Sequence, residues 1–294
     1  MSAPKILVEP RSVVNGSGAG PTQSEDRRRS ENVEYNLRMM LRRWALVLTL
    51  GVVIAGEAGM VFVPGGKFQR GRTHEDKDAE LAFYPNPLKD DLPVREIEVG
   101  PYYLDEHEVT IAEYAAFVKA KKHRAPPVWR DGKPPVGRDN IPVADVSWDD
   151  AAAYCSWRGK RLPTEAEWER ACRGITERQK YPWGDRAPTA KDARFNGLEG
   201  PMEVCKLPRT SLGLCDIVGN LWEWTADYYG RDYYAEALAK DPKGPDKGMY
   251  RVLRGGSWFD AANFLTCSHR SWARAGERSP NIGFRCAVSF GKGR

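Results

Sequence analysis

The alternation of apolar and polar positions divides the chain into three stretches of different character. Residues 1–38 are polar, rich in Ser, Gly and Arg, and show no apolar period. Such a stretch buries too little surface to offset the entropy of ordering, so it is expected to be disordered, or to lie upstream of a true start at Met39 or Met40. Residues 39–58 follow, where Leu41-Arg42-Arg43 precedes an apolar run from Trp44 to Gly56 that ends at Glu57. The run is too short to span a bilayer comfortably, and a basic flank before it is the pattern of a signal-peptide core, with Ala55, Gly56 and Ala58 suited to cleavage. An uncleaved signal anchor is the alternative, and a buried core strand or helix is the third reading.

From Met60 to about Phe290 no low-complexity linker and no fixed-period repeat interrupts the pattern, which predicts one domain over residues 60–290. Met60–Gly66 reads as a strand entering a tight turn in which Gly65 and Gly66 take positive φ. His74–Asp91 is polar and reads as a surface insertion. Helix starts are marked by capping boxes, in which an N-cap hydroxyl and an acid three residues on satisfy orphan amides reciprocally: Thr110 with Glu113, Ser147 with Asp150, Thr164 with Glu167. The first helix carries Tyr114, Phe117 and Val118 inward. The second runs through Ala151, Tyr154 and Cys155 to a stop at Gly159, and the third ends at Cys172 with Gly174 as its cap. Turns at 182–185 and 254–257 dominate the remainder, so strands there should be short.

Composition sharpens this into a loop-rich α+β domain. The chain holds 28 Gly, 21 Pro, 10 Trp and 12 Tyr, which disfavours extended helix bundles and favours irregular structure pinned by aromatic packing. The net charge of +5 is spread over 45 basic and 40 acidic residues. Part of the excess precedes the folded region, at Arg27, Arg28, Arg29, Arg38, Arg42 and Arg43, and there is no footprint for a nucleic-acid partner. Six cysteines, Cys155, Cys172, Cys205, Cys215, Cys267 and Cys286, form an even set suited to an oxidising compartment. No CxxC spacing exists, which argues against a thiolate zinc site, and spacing alone leaves all fifteen pairings open.

The segments MVFVPGGKFQRG (60–71), EVTIAEY (108–114), PVADVSWDDAAAYCSWRGKRLPTEAEWERACRG (142–174), YPWGD (181–185), GLCDIVGNLWEWTADYY (213–229), RVLRGGSW (251–258) and NIGFRCA (281–287), in that order, resemble the sulfatase-modifying-factor, or formylglycine-generating-enzyme, family. The match covers nearly all of Met60–Ala287. The resemblance implies a compact α+β fold with little regular structure, related to C-type lectin domains and often stabilised by calcium. It also implies two buried disulfides, Cys155–Cys286 and Cys172–Cys267, which leaves Cys205 and Cys215 as a third bridge or as two inert buried thiols.

The family's oxidases use two cysteines just after a Gly-Gly-Ser turn, which bind copper as thiolates. The matching stretch here, Ser257 to Cys267, has no free pair: Cys267 falls on a structural position, the loop is shorter, and Asp260 and Leu265 stand near the expected thiol positions. Copper, and cysteine-to-formylglycine oxidation by the known route, are therefore not expected, because oxygen ligands bind copper(I) poorly. The resemblance places Trp222, Ser257 and Arg270 at positions that shape the oxidase pocket, although Trp222 and Arg270 also belong to packed segments. Asp260 and His269 complete the candidate pocket. A lone His of this kind is more often a hydrogen-bonded surface or core residue, and no histidine pair has metal-ligand spacing.

Calcium is the expected cofactor, in a structural role. The family's site maps onto Asp216, the carbonyls of Gly219 and Leu221, and Glu223, hard oxygens on a tight turn that suit this ion. The other role open to Glu223, an acid between two Trp residues, is a buried ion pair. A second site would begin at Asn196 and Gly197, with only Glu199 or Glu203 to complete it. Three functions follow. The first is an exported factor, periplasmic or secreted, that matures or modifies a protein or peptide-derived substrate without copper-thiolate chemistry. The second is a non-catalytic, calcium-stabilised module binding peptide or glycan. The third, a true formylglycine-generating oxidase, lacks its thiols. Contact with a membrane would come only through a retained signal anchor facing out of the cytoplasm.

Overall fold

The computed structural model describes residues 58–74, 89–174 and 178–291. These lie in the second of two compact units, Ala55–Arg294. The polar N-terminal stretch, nearly all of the apolar run and most of the predicted insertion lie outside the described residues. Among the described residues no helix is long and apolar enough to cross a membrane.

The architecture is the expected α+β mixture of short elements. Strands β1 (Met60–Val63), β2 (Gly66–Arg70), β3 (Arg95–Val99) and β4 (Tyr102–Asp105) precede helices α1 (Ile111–Lys121), α2 (Trp148–Trp157) and α3 (Glu165–Arg173). Then come β5 (Trp222–Tyr228), the short helix α4 (Tyr233–Glu236), β6 (Tyr250–Arg254), β7 (Arg270–Arg274), β8 (Ile282–Gly283) and β9 (Ala287–Ser289). The strands form three sheets, ordered β1-β4-β9, β2-β3 and β7-β6-β5-β8. All pairings are antiparallel except β5 with β8.

All three capping boxes are present, each with the hydroxyl on the N3 amide and the N3 acid on the N-cap amide. Helix α1 buries Ile111, Tyr114 and Phe117, whereas Val118 is half-buried at the rim of that face. Helix α2 stops two residues before Gly159, which takes φ +71°, and α3 runs one residue past Cys172 before Gly174 caps it at φ +63°. Gly66 does take positive φ. Gly65 is required for another reason, since a Cβ there would meet the Pro101 nitrogen at 2.6 Å.

Two apolar clusters make the core. One gathers Phe68, Tyr102, Trp168, Leu214 and Leu265; the other gathers Tyr114, Tyr154, Trp222, Trp224 and Phe284. Disulfide Cys172–Cys267 joins elements of the first, and Cys155–Cys286 joins elements of the second. Closing separations of 131 and 95 residues, each contributes about 4–5 kcal/mol in the chain-entropy model. The third bridge, Cys205–Cys215, forms as well.

One expectation is corrected at the end of the predicted insertion. Asp90 and Asp91 are 5% and 3% exposed, because Asp91 pairs with Arg72 at 2.8 Å and Asp90 accepts from Tyr229 at 2.8 Å. They turn a polar segment inward to satisfy buried cations and hydroxyls. Those contacts belong to an ionic layer between α3 and the four-stranded sheet, where Arg70, Glu165, Glu169, Arg173, Arg254 and Arg270 are all buried.

Candidate functional site

The candidate residues converge at one end of the four-stranded sheet. Trp222 opens β5, Ser257 follows β6 by three residues, and Arg270 opens β7. Backbone pairing aligns Glu223, Arg254 and Arg270 in one cross-strand row. Successive side chains alternate between faces of a sheet, so that row faces α3 and leaves Trp222 and the residue before Arg270, His269, to the opposite side.

On that opposite side the rings of Phe264, His269 and Trp222 gather, with Phe264 4.9 Å from His269 and His269 5.9 Å from Trp222. The Gly255-Gly256 turn brings Ser257 beside them. Both glycines have positive φ, and a Cβ on Gly256 would meet Leu265 at 3.0 Å, so the close approach of two chain segments needs them. Asp260 then folds back on Ser257: one carboxylate oxygen accepts the Ser257 amide at 3.0 Å and also the Ser257 hydroxyl. Burial pushes the Asp260 pKa up, with these hydrogen bonds pulling against it. Asn281, not singled out from sequence, donates to Ser257 Oγ at 3.3 Å.

Four of the five pocket candidates, Trp222, Ser257, Asp260 and His269, are thus brought together, and Arg270 is not. Arg270 donates to Glu165 at 2.6 Å and to the carbonyls of Asp90 and Gly230, and it lies against Tyr229 and Tyr234. It is a member of the ionic layer. Leu265, near the second expected thiol position, is fully buried. All six cysteines are in disulfides. Outward from the cluster, Trp258 and Phe259 form an edge-on aromatic pair, with Phe259 59% exposed and Leu198 85% exposed nearby in the chain segment that pairs with Trp258.

Around the turn before β5, three carboxylates surround one guanidinium. Arg285 binds both oxygens of Glu223 at 2.8–2.9 Å and four backbone carbonyls, including those of Cys215 and Asp216. Glu223 also accepts from Trp168, so it has the buried ion pair left open by the sequence. Asp216 accepts the Cys205 amide at 2.7 Å. A third acid, Glu108, fully buried and missed in the sequence reading, accepts from the Leu221 amide and the Asn220 side chain. Burial, then repulsion from Glu223 and Asp216, pushes the Glu108 pKa well above its ordinary value. Burial likewise raises Asp216 and Glu223, against the pull of Arg285. Glu108 and Glu223 are buried and Asp216 is half-buried, so hard oxygens gather around Arg285, the donor type that calcium takes.

The second predicted calcium position is arranged differently. The amides of Asn196 and Gly197 donate to the carbonyls of Asp260 and Trp258 at 2.8 Å, clamping the loop of the candidate pocket. Glu199 and Glu203 lie in surface ion pairs with Arg194 and Lys206.

Comparison with known proteins gives a consistent picture. The model of the sulfatase-modifying factor enzyme 1-like domain matches residues 54–290. The chain is 35% identical to the formylglycine-generating enzyme of Streptomyces coelicolor, over 78% of this chain and 88% of that one. It is 34% identical to the inactive Cα-formylglycine-generating enzyme 2 of Bos taurus, over 79% and 89%. It is also 35% identical to the serine/threonine-protein kinase pkn1 of Chlamydia caviae, where the matching region is 78% of this chain but 37% of that longer protein. Among solved structures, PvdO from Pseudomonas aeruginosa superimposes with a TM-score of 0.67 at 25% identity, covering 79% of this chain and 94% of PvdO.

Proposed function

We propose, from the premise that this chain belongs to the sulfatase-modifying factor enzyme 1-like domain family, that it is an exported recognition domain for a peptide or protein segment and does not oxidise cysteine to formylglycine. The observation that carries this reading is the commitment of Asp260. Its carboxylate is spent on the Ser257 amide and hydroxyl, while Leu265 is sunk in the core. The two positions near the expected thiols therefore brace the fold of the pocket and offer no nucleophile. Beside them, Trp258 and Phe259 offer the large, rigid apolar contact that peptide recognition uses. Three disulfides suit an oxidising compartment, periplasmic or secreted, and favour export. Calcium is proposed as a structural cofactor on Asp216, Glu223 and the carbonyls of Gly219 and Leu221, with Glu108 adding charge.

Family members bearing the name of an active enzyme and of an inactive one leave activity to be argued from the site. His269, against Phe264 and Trp222, supports a second reading in which a bound peptide is modified. Selection of a displayed random-peptide library on the folded protein tests the first reading. Enrichment of peptides whose affinity falls when Phe259→Ser is introduced is expected; no enrichment, or peptides indifferent to that exposed substitution, would refute it. Turnover of such a peptide that is lost in His269→Gln, with binding retained, would favour the second.

A further inference from the structure

The Cys205–Cys215 bridge differs in setting from the other two. Cys155, Cys286, Cys172, Cys267 and also Cys215 are fully buried, whereas Cys205 is half-buried and gives this bridge one accessible end. One carboxylate oxygen, Glu106 Oε1, lies 3.7 Å from Cys205 Sγ and 4.0 Å from Cys215 Sγ. The three ligand atoms lie within 4.8 Å of one another. We propose that Cys205, Cys215 and Glu106 form a zinc site that is masked while the cysteines are joined and opens on their two-electron reduction.

The geometry supports this in two independent ways. Tetrahedral zinc, with Zn–S about 2.3 Å and Zn–O about 2.0 Å, sets an oxygen about 3.5 Å from each sulfur and the sulfurs about 3.8 Å apart. Glu106 already stands within half an ångström of that distance from both sulfurs, so only the sulfurs need part. Moreover, the three backbones are pinned without the bridge. The Cys215 amide donates to the Glu106 carbonyl at 2.8 Å, the Glu106 amide donates to Gly59, and the Cys205 amide donates to Asp216. The site therefore survives reduction with its ligands placed. Arg209, which holds Glu106 at 2.5 Å, is half-exposed and costs little to displace. Two thiolates with a carboxylate suit zinc better than copper(I), and three protein ligands leave the fourth position to water. Sequence spacing hid the site because Glu106 is 99 and 109 residues from its partners.

The chemistry balances with a dithiol reductant. The dithiol forms mixed and then internal disulfide, the Cys205–Cys215 bond accepts two electrons and two protons, and zinc then displaces both thiol protons. The test uses the whole folded protein, treated with a mild dithiol under native conditions, alkylated in one aliquot and dialysed against zinc in another. Peptide mapping is expected to show alkylation at Cys205 and Cys215 with the core bridges intact. Elemental analysis is expected to show stoichiometric zinc in the reduced protein and none in the oxidised protein. Glu106→Gln should weaken zinc by about tenfold or more, and the Cys205→Ser/Cys215→Ser double variant, which spares both core bridges, should take up none. Failure of the reduced protein to bind zinc, binding by the double variant, or unchanged affinity in Glu106→Gln would each overturn the proposal.

Discussion

Arg270→Ala separates a pocket residue from a core residue. Sequence left both roles open, and the structure puts the guanidinium in the ionic layer, with bonds to Glu165, Asp90 and Gly230 and two tyrosine rings against it. Removing one partner of a buried pair typically costs about 3–5 kcal/mol, because the other charge is left uncompensated. Here Glu165 would keep Arg70 at 2.8 Å and Arg254 at 3.8 Å, so the loss should sit near the lower end, about 3 kcal/mol. For a domain of this size that lowers Tm by about 6–12 °C. The assay is thermal unfolding followed by near-ultraviolet circular dichroism with the disulfides intact. A variant that melts within about 2 °C of the parent, a shift worth no more than about 1 kcal/mol, and yet loses peptide binding, would refute the assignment and return Arg270 to the pocket.

Other consequences follow from buried charge. Burial, then repulsion from Glu165, raises the Asp227 pKa to about 7, above its unfolded value of about 3.9. The folded state therefore holds the proton more tightly, so this stabilisation is complete below pH 3.9 and fades as pH rises through 7. Asp227→Asn, which keeps an acceptor for the Glu165 amide, should make the variant melt above the parent at pH 8 and converge with it at pH 4; parallel curves would contradict this. Glu165 runs the other way: Arg270, Arg70 and Arg254 outweigh burial and hold it at about 2. Its contribution is present above about pH 4.5 and is lost as pH falls toward 2, so a melting series in acid should steepen there and flatten in Glu165→Gln. Chelator should lower Tm by about 5–10 °C if calcium fills the site at a hundredfold excess over its Kd. Calcium but not magnesium should restore it, and an unchanged Tm would remove the calcium proposal.

What was legible in the sequence was mostly local. The capping boxes at Thr110, Ser147 and Thr164 announce themselves within four residues, and each is formed. Family resemblance, not spacing, chose the two core disulfides among fifteen pairings. The ionic layer was illegible because its members, from Arg70 to Arg270, lie far apart, and an arginine in sequence looks solvated until a partner is found for it. Asp90 and Asp91 misled for the same reason: two acids at the end of a polar stretch read as surface, and only the positions of Arg270, Tyr229 and Arg72 explain their burial. In the candidate pocket the fold gathers Trp222, Ser257, Asp260 and His269, while the hydrogen bonds of Asn281 to Ser257, and of Glu108 near the turn before β5, are not readable in sequence because their partners lie 24 and more than 100 residues away.

The most direct test of the central claim is mass spectrometry of a cysteine-containing sulfatase peptide incubated with the folded, copper-supplied protein under oxygen. Intact cysteine after many enzyme equivalents is the expected result, since Asp260 and Leu265 supply no thiolate. Conversion of that cysteine to an aldehyde that survives the Cys205→Ser/Cys215→Ser substitution would contradict the account, because it would require an oxidase with no free sulfur of its own.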